Sequence, residues 1–315
     1  MIQKTEEVDN FKNSLILIVG PTAVGKTDLT ISLAKKLNCD IISCDSRQFY
    51  KEMNIGTAKP SFSEMKEVKH HFINSHSVSD YYSAGDFERD VETFLETYFK
   101  KNKIVILTGG SGLFIKSITD GLDTMPEAPL ELRNSLMARL ANEGLTILQN
   151  ELLELDIETY QTIDVNNSQR VIRALEVCLS TGKPFSYFQK NIEKKHTYKI
   201  IKIGLERTRS ELYERINRRV DAMMEEGLVK EVANLKFFES QNALQTVGYK
   251  EVFSYLREEI NYEKMVELIK RNTRRYAKRQ ITWFKNQDTF QWFNPEEEDL
   301  VLDYINREKN KQSKI

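Results

Sequence analysis

The stretch "GPTAVGKT" at residues 20–27 follows a short, branched apolar run, "SLILIV" at 14–19, and opens a segment with helical spacing, "KTDLTISLAKKL" at 26–37. The apolar run is typical of a buried parallel strand. In this context the pattern G-x-x-x-x-G-K-[ST] predicts a loop whose backbone N–H groups hold a phosphate at a helix N-terminus. Lys26 adds a positive charge, and the Thr27 hydroxyl suits Mg²⁺. The predicted loop consists of Gly20, Pro21, Thr22, Ala23, Val24, Gly25, Lys26 and Thr27. The motif specifies a phosphate but not the rest of the ligand, and a nucleotide such as ATP is the usual one.

Further apolar runs alternate with helical patterns. We predict buried strands at "DIISC" (40–44) and "KIVILTGG" (103–110), with a helix at "FERDVETFLETYFKKN" (87–102) before the second of them. This alternation predicts an α/β fold with a P-loop NTPase-like, doubly wound parallel sheet. Ligands of such sheets bind outside the carboxyl ends of the strands, so we expect three segments to face one crevice. They are the loop at 20–27, "DSRQ" at 45–48 and "GGSG" at 109–112.

The pattern changes after about residue 121. A long helical segment follows, and no clear strand appears until "TYKIIKIGL" at 197–205. We therefore expect the first part of the P-loop α/β core at 1–120 and a helical insertion domain at 121–197. Residues 198–315 would return to the core and include a basic C-terminal helix.

Composition limits the class of protein. The chain of 315 residues is 40% hydrophobic and 30% charged, as in ordinary soluble globular proteins. Its start, "MIQKTEEVDN", is typical of neither a signal peptide nor a transit peptide, and its longest apolar run, "LILIV" at 15–19, is far shorter than a membrane span. Cys39, Cys44 and Cys178 form no C-x-x-C pair, which argues against a zinc site or a disulfide framework. We expect a cytoplasmic protein that does not bind a membrane.

Asp45 lies at the carboxyl end of the second predicted strand, in "IISCDS". It has three possible roles: a Mg²⁺ ligand of an ATP-using enzyme, a general base beside the phosphate pocket, or a cap of its own turn through Ser46. The third strand ends without an acid, which weakens the ATPase interpretation slightly. Sequence position alone does not separate the first two roles.

The segment "EKMVELIKRNTRRYAKRQITWF" at 263–284 has a basic helical face. On a helix, one i,i+4 row contains Lys270, Arg274 and Lys278, and the adjacent row contains Arg271, Arg275 and Arg279. A solvated surface helix normally mixes charge signs, whereas residues 270–279 contain six basic residues and no acid. The segment therefore predicts binding to a polyanion.

Several motifs occur in the same order as in a known family. They are "GPTAVGKT", "DSRQFYKEMNIGTAKP" (45–60), "HHFIN" (70–74), "SAGDF" (83–87), "GGSGLF" (109–114), "NNSQRVIRALEV" (166–177), "RINRRVDAMMEEGLVKEV" (215–232), "VGYKE" (247–251) and "KRQITWF" (278–284). Together they resemble the tRNA dimethylallyltransferase (isopentenyl-tRNA transferase) family over nearly the whole chain.

The resemblance implies a prenyltransferase that moves a dimethylallyl group from dimethylallyl diphosphate to N6 of adenosine 37. This adenosine follows the anticodon of tRNAs that read codons beginning with U, and the product is N6-isopentenyladenosine. In that family the loop at 20–27 holds the diphosphate of the prenyl donor rather than ATP. The implied cofactor is Mg²⁺, held through Thr27.

The resemblance also implies three catalytic residues. Asp45 matches the family's base, and Arg219 matches the arginine that stabilises the leaving diphosphate, with Arg215 as the alternative. Ser111 stands where the family usually has threonine and keeps the hydroxyl, with less restricted rotamers. Phe114 replaces the usual tyrosine, so a role for that hydroxyl is not carried over.

The implied partner is the anticodon stem-loop of tRNA, bound by a monomer. The family pattern aligns one set of residues with the flipped adenine and its neighbours, and a second set with the anticodon arm. The first set is Asp45, Ser46, Arg47, Gln48 and Ser111. The second set is Arg133, Gln169, Arg170, Arg173, Lys278, Arg279 and Gln280.

Other functions use part of the same pattern. A P-loop small-molecule kinase shares the loop and the architecture but leaves the basic helix and "DSRQFY" unexplained. A prenyltransferase acting on a free adenine nucleotide shares the donor pocket and Asp45 but needs neither the basic helix nor a large helical arm. A non-catalytic RNA-binding module needs neither the loop nor Asp45.

Overall fold

A computed structural model describes residues 11–190 and 194–311 of the chain. Its centre is a parallel sheet of six strands, and the strand order is β3-β2-β4-β1-β5-β6. The strands are β1 Ser14–Val19, β2 Ile41–Cys44, β3 His70–His71, β4 Ile104–Gly109, β5 Lys199–Leu205 and β6 Gln291–Phe293. The connection after β1 crosses β4, so the chain switches direction beside β1, where ligands of such sheets bind.

Thirteen helices are present in the described ranges. They are α1 Lys26–Leu37, α2 Phe62–Glu67, α3 Ala84–Tyr98, α4 Gly112–Thr119, α5 Leu130–Glu143, α6 Leu145–Leu155, α7 Ile157–Thr162, α8 Ser168–Thr181, α9 Arg209–Glu225, α10 Leu228–Ala233, α11 Tyr249–Leu256, α12 Tyr262–Gln287 and α13 Glu298–Asn310. Short 3₁₀ turns occur at Phe185–Phe188, Lys236–Phe238 and Asn242–Leu244. None of these helices combines the length and the apolar character that a bilayer span requires.

The sheet carries a hydrophobic core on each face. Side chains of β1 alternate between the two faces, because successive residues of a strand point in opposite directions. Leu15 and Leu17 join the core that contains residues of α3 and α4, whereas Ile16 and Ile18 join the core that contains residues of α1, α9 and α13. The sequence-based prediction of a doubly wound parallel sheet is confirmed.

A third core cluster joins helices α9 to α12 to the segment that follows β2. Here the Glu231 carboxylate accepts hydrogen bonds from three successive backbone N–H groups, those of Asn54, Ile55 and Gly56, at 3.0, 2.8 and 3.2 Å. It also accepts one from the Tyr249 hydroxyl at 2.6 Å. These bonds fix the backbone of residues 54–56, at the start of "NIGTAKP".

The chain forms two compact units: residues 1–119 with 195–315, and residues 120–194. The second unit has its own apolar core, built from α5, α6 and α8. The two ends of the first unit that flank this insertion are close together, because Nε2 of His196 lies 2.7 Å from the carbonyl oxygen of Thr119. Inside the second unit the N–H of Lys194 donates to the carbonyl of Asp120 at 3.3 Å, so both of its ends are also close together.

Candidate active site

An open cleft of about 1220 Å³ lies beyond the carboxyl ends of β1, β2 and β4. The loop at 20–27, the turn at 45–48 and the turn at 109–112 all contribute to its lining. Further walls come from α9, α11 and α12, and every lining residue belongs to the unit of residues 1–119 and 195–315. The three segments that we expected to face one crevice thus line the same cleft.

The backbone of the loop at 20–27 is strained, and the side chain of Lys26 forms hydrogen bonds to carbonyl groups of the same loop. Ala23 has φ 63°, in the left-handed region that costs a non-glycine residue about 1 kcal/mol or more, and Gly25 has φ 112°. Nζ of Lys26 donates to the carbonyl oxygens of Gly20 and Pro21 at 2.9 and 2.8 Å. Burial lowers the pKa of Lys26 to about 8, although the Asp45 carboxylate acts in the opposite direction.

Two arginines also donate to carbonyl oxygens of the loop. Nε of Arg215 donates to the Ala23 carbonyl at 2.8 Å, and Nε of Arg207 donates to the Val24 carbonyl at 2.8 Å. Arg207 also pairs with Glu296 at 2.8 Å. With Lys26, these cations cover four loop carbonyl oxygens whose negative ends would otherwise repel an anion.

The turn after β2 brings Asp45 beside the loop. Oδ1 of Asp45 accepts the N–H of Arg47 at 3.0 Å, and Oγ of Ser111 accepts the N–H of Ser46 at 2.9 Å. The Asp45 carboxylate favours the charged forms of both Lys26 and Arg219. Burial nevertheless lowers the pKa of Arg219, whose guanidinium reaches the Thr57 carbonyl at 3.5 Å. The three residues implied as catalytic, Asp45, Ser111 and Arg219, all line the cleft.

The remaining residues of this turn have different surroundings. Gln48 ties the turn to the segment behind it, because its Nε2 donates to the carbonyls of Thr57 and Ala58 at 3.3 Å each, and its Oε1 accepts from Ser43 at 3.1 Å. Arg47 reaches the carbonyl of Asn242 at 3.1 Å at the exposed rim. Phe114, where the family pattern has tyrosine, packs on Phe49 and Phe87 with ring centroids 5.5 Å apart in both cases.

The basic face of α12 is narrower than the sequence predicted. Lys270 pairs with Asp221 at 2.5 Å, and Arg274 donates to Oδ1 of Asn217 at 2.6 Å, so both cations are engaged with α9. Arg275, Lys278 and Arg279 are the exposed basic residues of this stretch. The exposed part of the predicted basic face therefore consists of these three side chains.

Gln280, which the family pattern aligned with the anticodon arm, is only 6% exposed. Its Oε1 accepts the N–H of Thr22 at 2.9 Å, and its Nε2 donates to the carbonyl of Gly110 at 2.9 Å. The amide thus bonds the phosphate-binding loop to the turn that carries Ser111. Helical spacing places Gln280 on the inner stripe with Ala277 and Phe284, which are also buried.

In the unit of residues 120–194, the side chains aligned with the anticodon arm surround a buried carboxylate. Glu176, 3% exposed, pairs with Arg133 at 2.7 Å and with Arg173 at 3.2 Å. Arg133 also donates to Oε1 of Gln169 at 3.0 Å, and Arg170 is exposed. A basic cluster is therefore held rigidly on α8 and the start of α5.

Sequence reasoning missed Thr108, which precedes the two glycines at the end of β4. Its hydroxyl oxygen is buried and has no hydrogen-bond partner among residues 11–190 and 194–311. It lines a small cavity of about 50 Å³ together with Thr27, Ser43 and Asp45. A hydroxyl without a partner beside Thr27 and a carboxylate fits a hydrated Mg²⁺, which keeps several of its waters. Within the same ranges, no three His, Cys, Asp or Glu side chains cluster as a metal site, so the oxygen ligands would have to include the substrate.

Tyr276 was also missed as a cleft residue. It lines the cleft and remains 37% exposed, and the guanidinium carbon of Arg279 lies 5.8 Å from the centre of its ring. Desolvation raises the pKa of its hydroxyl to about 12, and the Asp45 carboxylate acts in the same direction. Its position four residues before Gln280, one helical turn, was the available signal.

The fold and the cleft define a P-loop α/β protein in which the loop at 20–27 faces the turn that carries Asp45. The family model described as IPP transferase matches residues 48–287. The chain belongs to the IPP transferase family, as the sequence motifs predicted.

Known relatives extend this similarity to nearly the full length. The tRNA dimethylallyltransferase of Christiangramia forsetii is 47% identical over 299 residues, which cover 95% of this chain and 99% of the relative. The crystal structure of the tRNA isopentenylpyrophosphate transferase from Bacillus halodurans matches with a TM-score of 0.71 and 36% identity, over 96% of this chain and 98% of the other. A eukaryotic dimethylallyltransferase acting on tRNA matches with a TM-score of 0.74 and 26% identity, over 94% of this chain and 80% of the other. These relatives are prenyltransferases by name.

Proposed function

We propose that this chain is a tRNA dimethylallyltransferase. It transfers the dimethylallyl group of dimethylallyl diphosphate to N6 of adenosine 37 in tRNAs that read codons beginning with U. The observation that supports this function most strongly is the pairing, in one cleft, of an anion-binding loop with a carboxylate that interacts electrostatically with Lys26 and Arg219. A leaving diphosphate needs the anion-binding loop, and an acceptor amine that loses a proton needs the carboxylate.

The loop at 20–27 binds the diphosphate of the donor. Its N–H groups at the start of α1 and the Lys26 ammonium supply positive charge, and Arg219 supplies a guanidinium across the cleft. The residues that would hold Mg²⁺ are Thr27 and, through water, Thr108, which line the same small cavity. When bound, Mg²⁺ would withdraw charge from the diphosphate oxygens.

Asp45 acts as the general base. The bond between C1 of the dimethylallyl group and the diphosphate oxygen breaks, and its electron pair leaves with the diphosphate. N6 of the adenine forms the new bond to C1, and the proton that N6 loses passes to the Asp45 carboxylate. Ser111 holds the turn in place through the Ser46 N–H, which supports this geometry.

The acceptor is the anticodon stem-loop. Flipping a loop base into the cleft costs less than flipping a paired base, and Ser46, Arg47 and Gln48 flank the position of Asp45. The exposed Lys278 and Arg279, and the cluster of Arg133, Gln169, Arg170 and Arg173, supply contacts to the RNA backbone. The enzyme acts as a monomer, and the substrate tRNA supports a cytoplasmic site of action.

The test uses dimethylallyl diphosphate labelled in its allyl group. Acceptors are a tRNA transcript that reads a U-initial codon, the same transcript with guanosine in place of adenosine 37, and AMP. We expect label in the first alone. Label in AMP would favour the free-nucleotide prenyltransferase, and ATP hydrolysis that depends on Lys26 would favour the kinase.

A further inference from the structure

The Gln280 side chain connects parts of the chain that are far apart in sequence. Its two hydrogen bonds join Thr22, 258 residues away, and Gly110, 170 residues away, to α12. The approach to Gly110 is close, because a Cβ atom at residue 110 would lie 2.2 Å from Nε2 of Gln280. With a 6% exposed side chain and both amide atoms bound inside the protein, Gln280 offers little to an external partner.

We propose that Gln280 is a positioning residue of the donor pocket and makes no contact with RNA. It holds the strained turn of the phosphate-binding loop in its anion-binding form. The nature of the anion, a diphosphate, rests on the function proposed above. The role differs from that of its neighbours Lys278 and Arg279, which are exposed on the same helix.

Strain in the loop explains why such a support is needed. The left-handed backbone of Ala23 is stable only where the surrounding structure fixes it. The structure fixes it on both sides: Gln280 accepts the N–H of the preceding Thr22, and Arg215 donates to the carbonyl of Ala23 itself. Removal of the Gln280 oxygen leaves the Thr22 N–H without this partner, so the turn can relax toward an ordinary conformation.

The second bond of Gln280 extends this support to the base. Gly110 directly precedes Ser111, whose hydroxyl accepts the N–H of Ser46 beside Asp45. One amide therefore fixes the spacing between the loop that binds the leaving group and the turn that carries the base. Catalytic groups lose efficiency when this spacing shifts by as little as about 1 Å.

The experiment measures two dissociation constants for each variant: inorganic pyrophosphate with Mg²⁺ by calorimetry, and an anticodon stem-loop RNA by fluorescence anisotropy. Gln280→Met keeps the volume and removes both polar atoms. Gly110→Ala leaves Gln280 in place but pushes its amide aside. Lys264→Ala is the control on the same helix, because Lys264 is exposed and pairs with Glu267 at 2.7 Å.

We expect the pyrophosphate dissociation constant to rise about tenfold in Gln280→Met and to rise also in Gly110→Ala, as for a lost buried hydrogen bond. The RNA dissociation constant should stay unchanged, because the amide of Gln280 is bound inside the protein. Weaker RNA binding with unchanged pyrophosphate binding in Gln280→Met would overturn the inference, as would no change in either constant. The readout is anion binding, so it reports on Gln280 even if the wild-type chain transfers no prenyl group to tRNA. Failure of the wild-type chain to transfer a prenyl group to tRNA would count against the proposed function instead.

Discussion

The side-chain hydroxyl of Ser111 accepts a hydrogen bond from the backbone N–H of Ser46 at 2.9 Å, across 65 residues of sequence. A second contact of 3.1 Å joins the two hydroxyls. The turn that presents Asp45 is therefore held by the glycine-rich turn after the neighbouring strand. A threonine at this position would make the same bond, which explains how serine can replace it in this chain.

Replacing the base should slow the chemical step. We expect Asp45→Ala to lower kcat by roughly 10²–10⁴, the usual effect of losing a general base, with the KM for the donor nearly unchanged. Asp28→Ala, an exposed acid that also lines the cleft, is the control. Loss of Mg²⁺-dependent donor binding in Asp45→Ala, without a separate effect on kcat, would show that Asp45 is a metal ligand instead.

Ligand binding should depend on the lysine of the loop. Dimethylallyl diphosphate should raise the unfolding temperature of the wild-type chain, because a ligand that binds only the folded state stabilises it. Lys26→Ala should remove this shift, whereas Lys35→Ala on the exposed side of the same helix should keep it. ATP should give a far smaller shift. Equal protection by ATP would contradict a donor pocket that is specific for the prenyl diphosphate.

RNA affinity should depend on the exposed basic side chains of α12. The logarithm of the tRNA association constant falls with the logarithm of salt by about 0.7–0.9 per neutralised phosphate. Lys278→Ala and Arg279→Ala should each weaken tRNA binding and flatten this slope by up to about one unit. Pyrophosphate binding should be unaffected. Full affinity and an unchanged slope in the double variant would identify this surface as merely solvated.

Metal affinity should respond to the hydroxyl behind the loop. We expect Thr108→Val to raise the dissociation constant of Mn²⁺, measured by electron paramagnetic resonance in the presence of pyrophosphate, by about tenfold. Thr108→Ser keeps the hydroxyl and should retain the affinity. Equal Mn²⁺ affinity in all three proteins would exclude Thr108 from the metal's surroundings.

Acid should lower the stability of the unit of residues 120–194, because it protonates Asp156, the N-cap of α7. Burial opposes ionisation of this carboxyl, but hydrogen bonds from Thr159 and Ser186 outweigh it and lower the pKa of Asp156 below its ordinary value of 3.8. A lowered folded-state pKa stabilises the fold above the unfolded-state pKa, and this contribution disappears as the pH falls through the folded-state value.

We expect Asp156→Asn to destabilise residues 145–190 at pH 7 by about 1–3 kcal/mol, the usual loss for buried polar groups left unpaired. The difference from wild type should shrink below the ordinary carboxyl pKa. Amide hydrogen exchange of this segment measures both effects. The control is Asp164→Asn, since Asp164 is exposed. A difference that stays constant with pH would show that the carboxylate charge has no part in it.

Local patterns predicted the large elements well. The central strand at 14–19 and the helix after it were bounded correctly because their apolar spacing is strong. The third helix begins at Ala84, earlier than the expected residue 87, because Ser83 and Asp86 form a capping box that apolar spacing does not reveal. Strands β3 and β6, of two and three residues, are too short to show any periodicity.

The site was predictable where its residues adjoin strand ends. The loop at 20–27 and Asp45 follow β1 and β2 directly, so the sheet itself brings them together. Arg207 and the inner contacts of Gln280 depend on approaches between distant segments, and no local pattern specifies those. The engagement of Lys270 and Arg274 has the same origin, since their partners Asp221 and Asn217 lie on another helix.

The contact between Thr119 and His196 makes residues 120–194 a removable cassette. Two or three linker residues across this junction would close the sheet-containing unit with little loop-closure entropy, since the ends already touch. The cassette has its own apolar core, and its ends meet at Asp120 and Lys194. The same junction offers a place to graft another helical unit in place of the one proposed above to contact the anticodon arm.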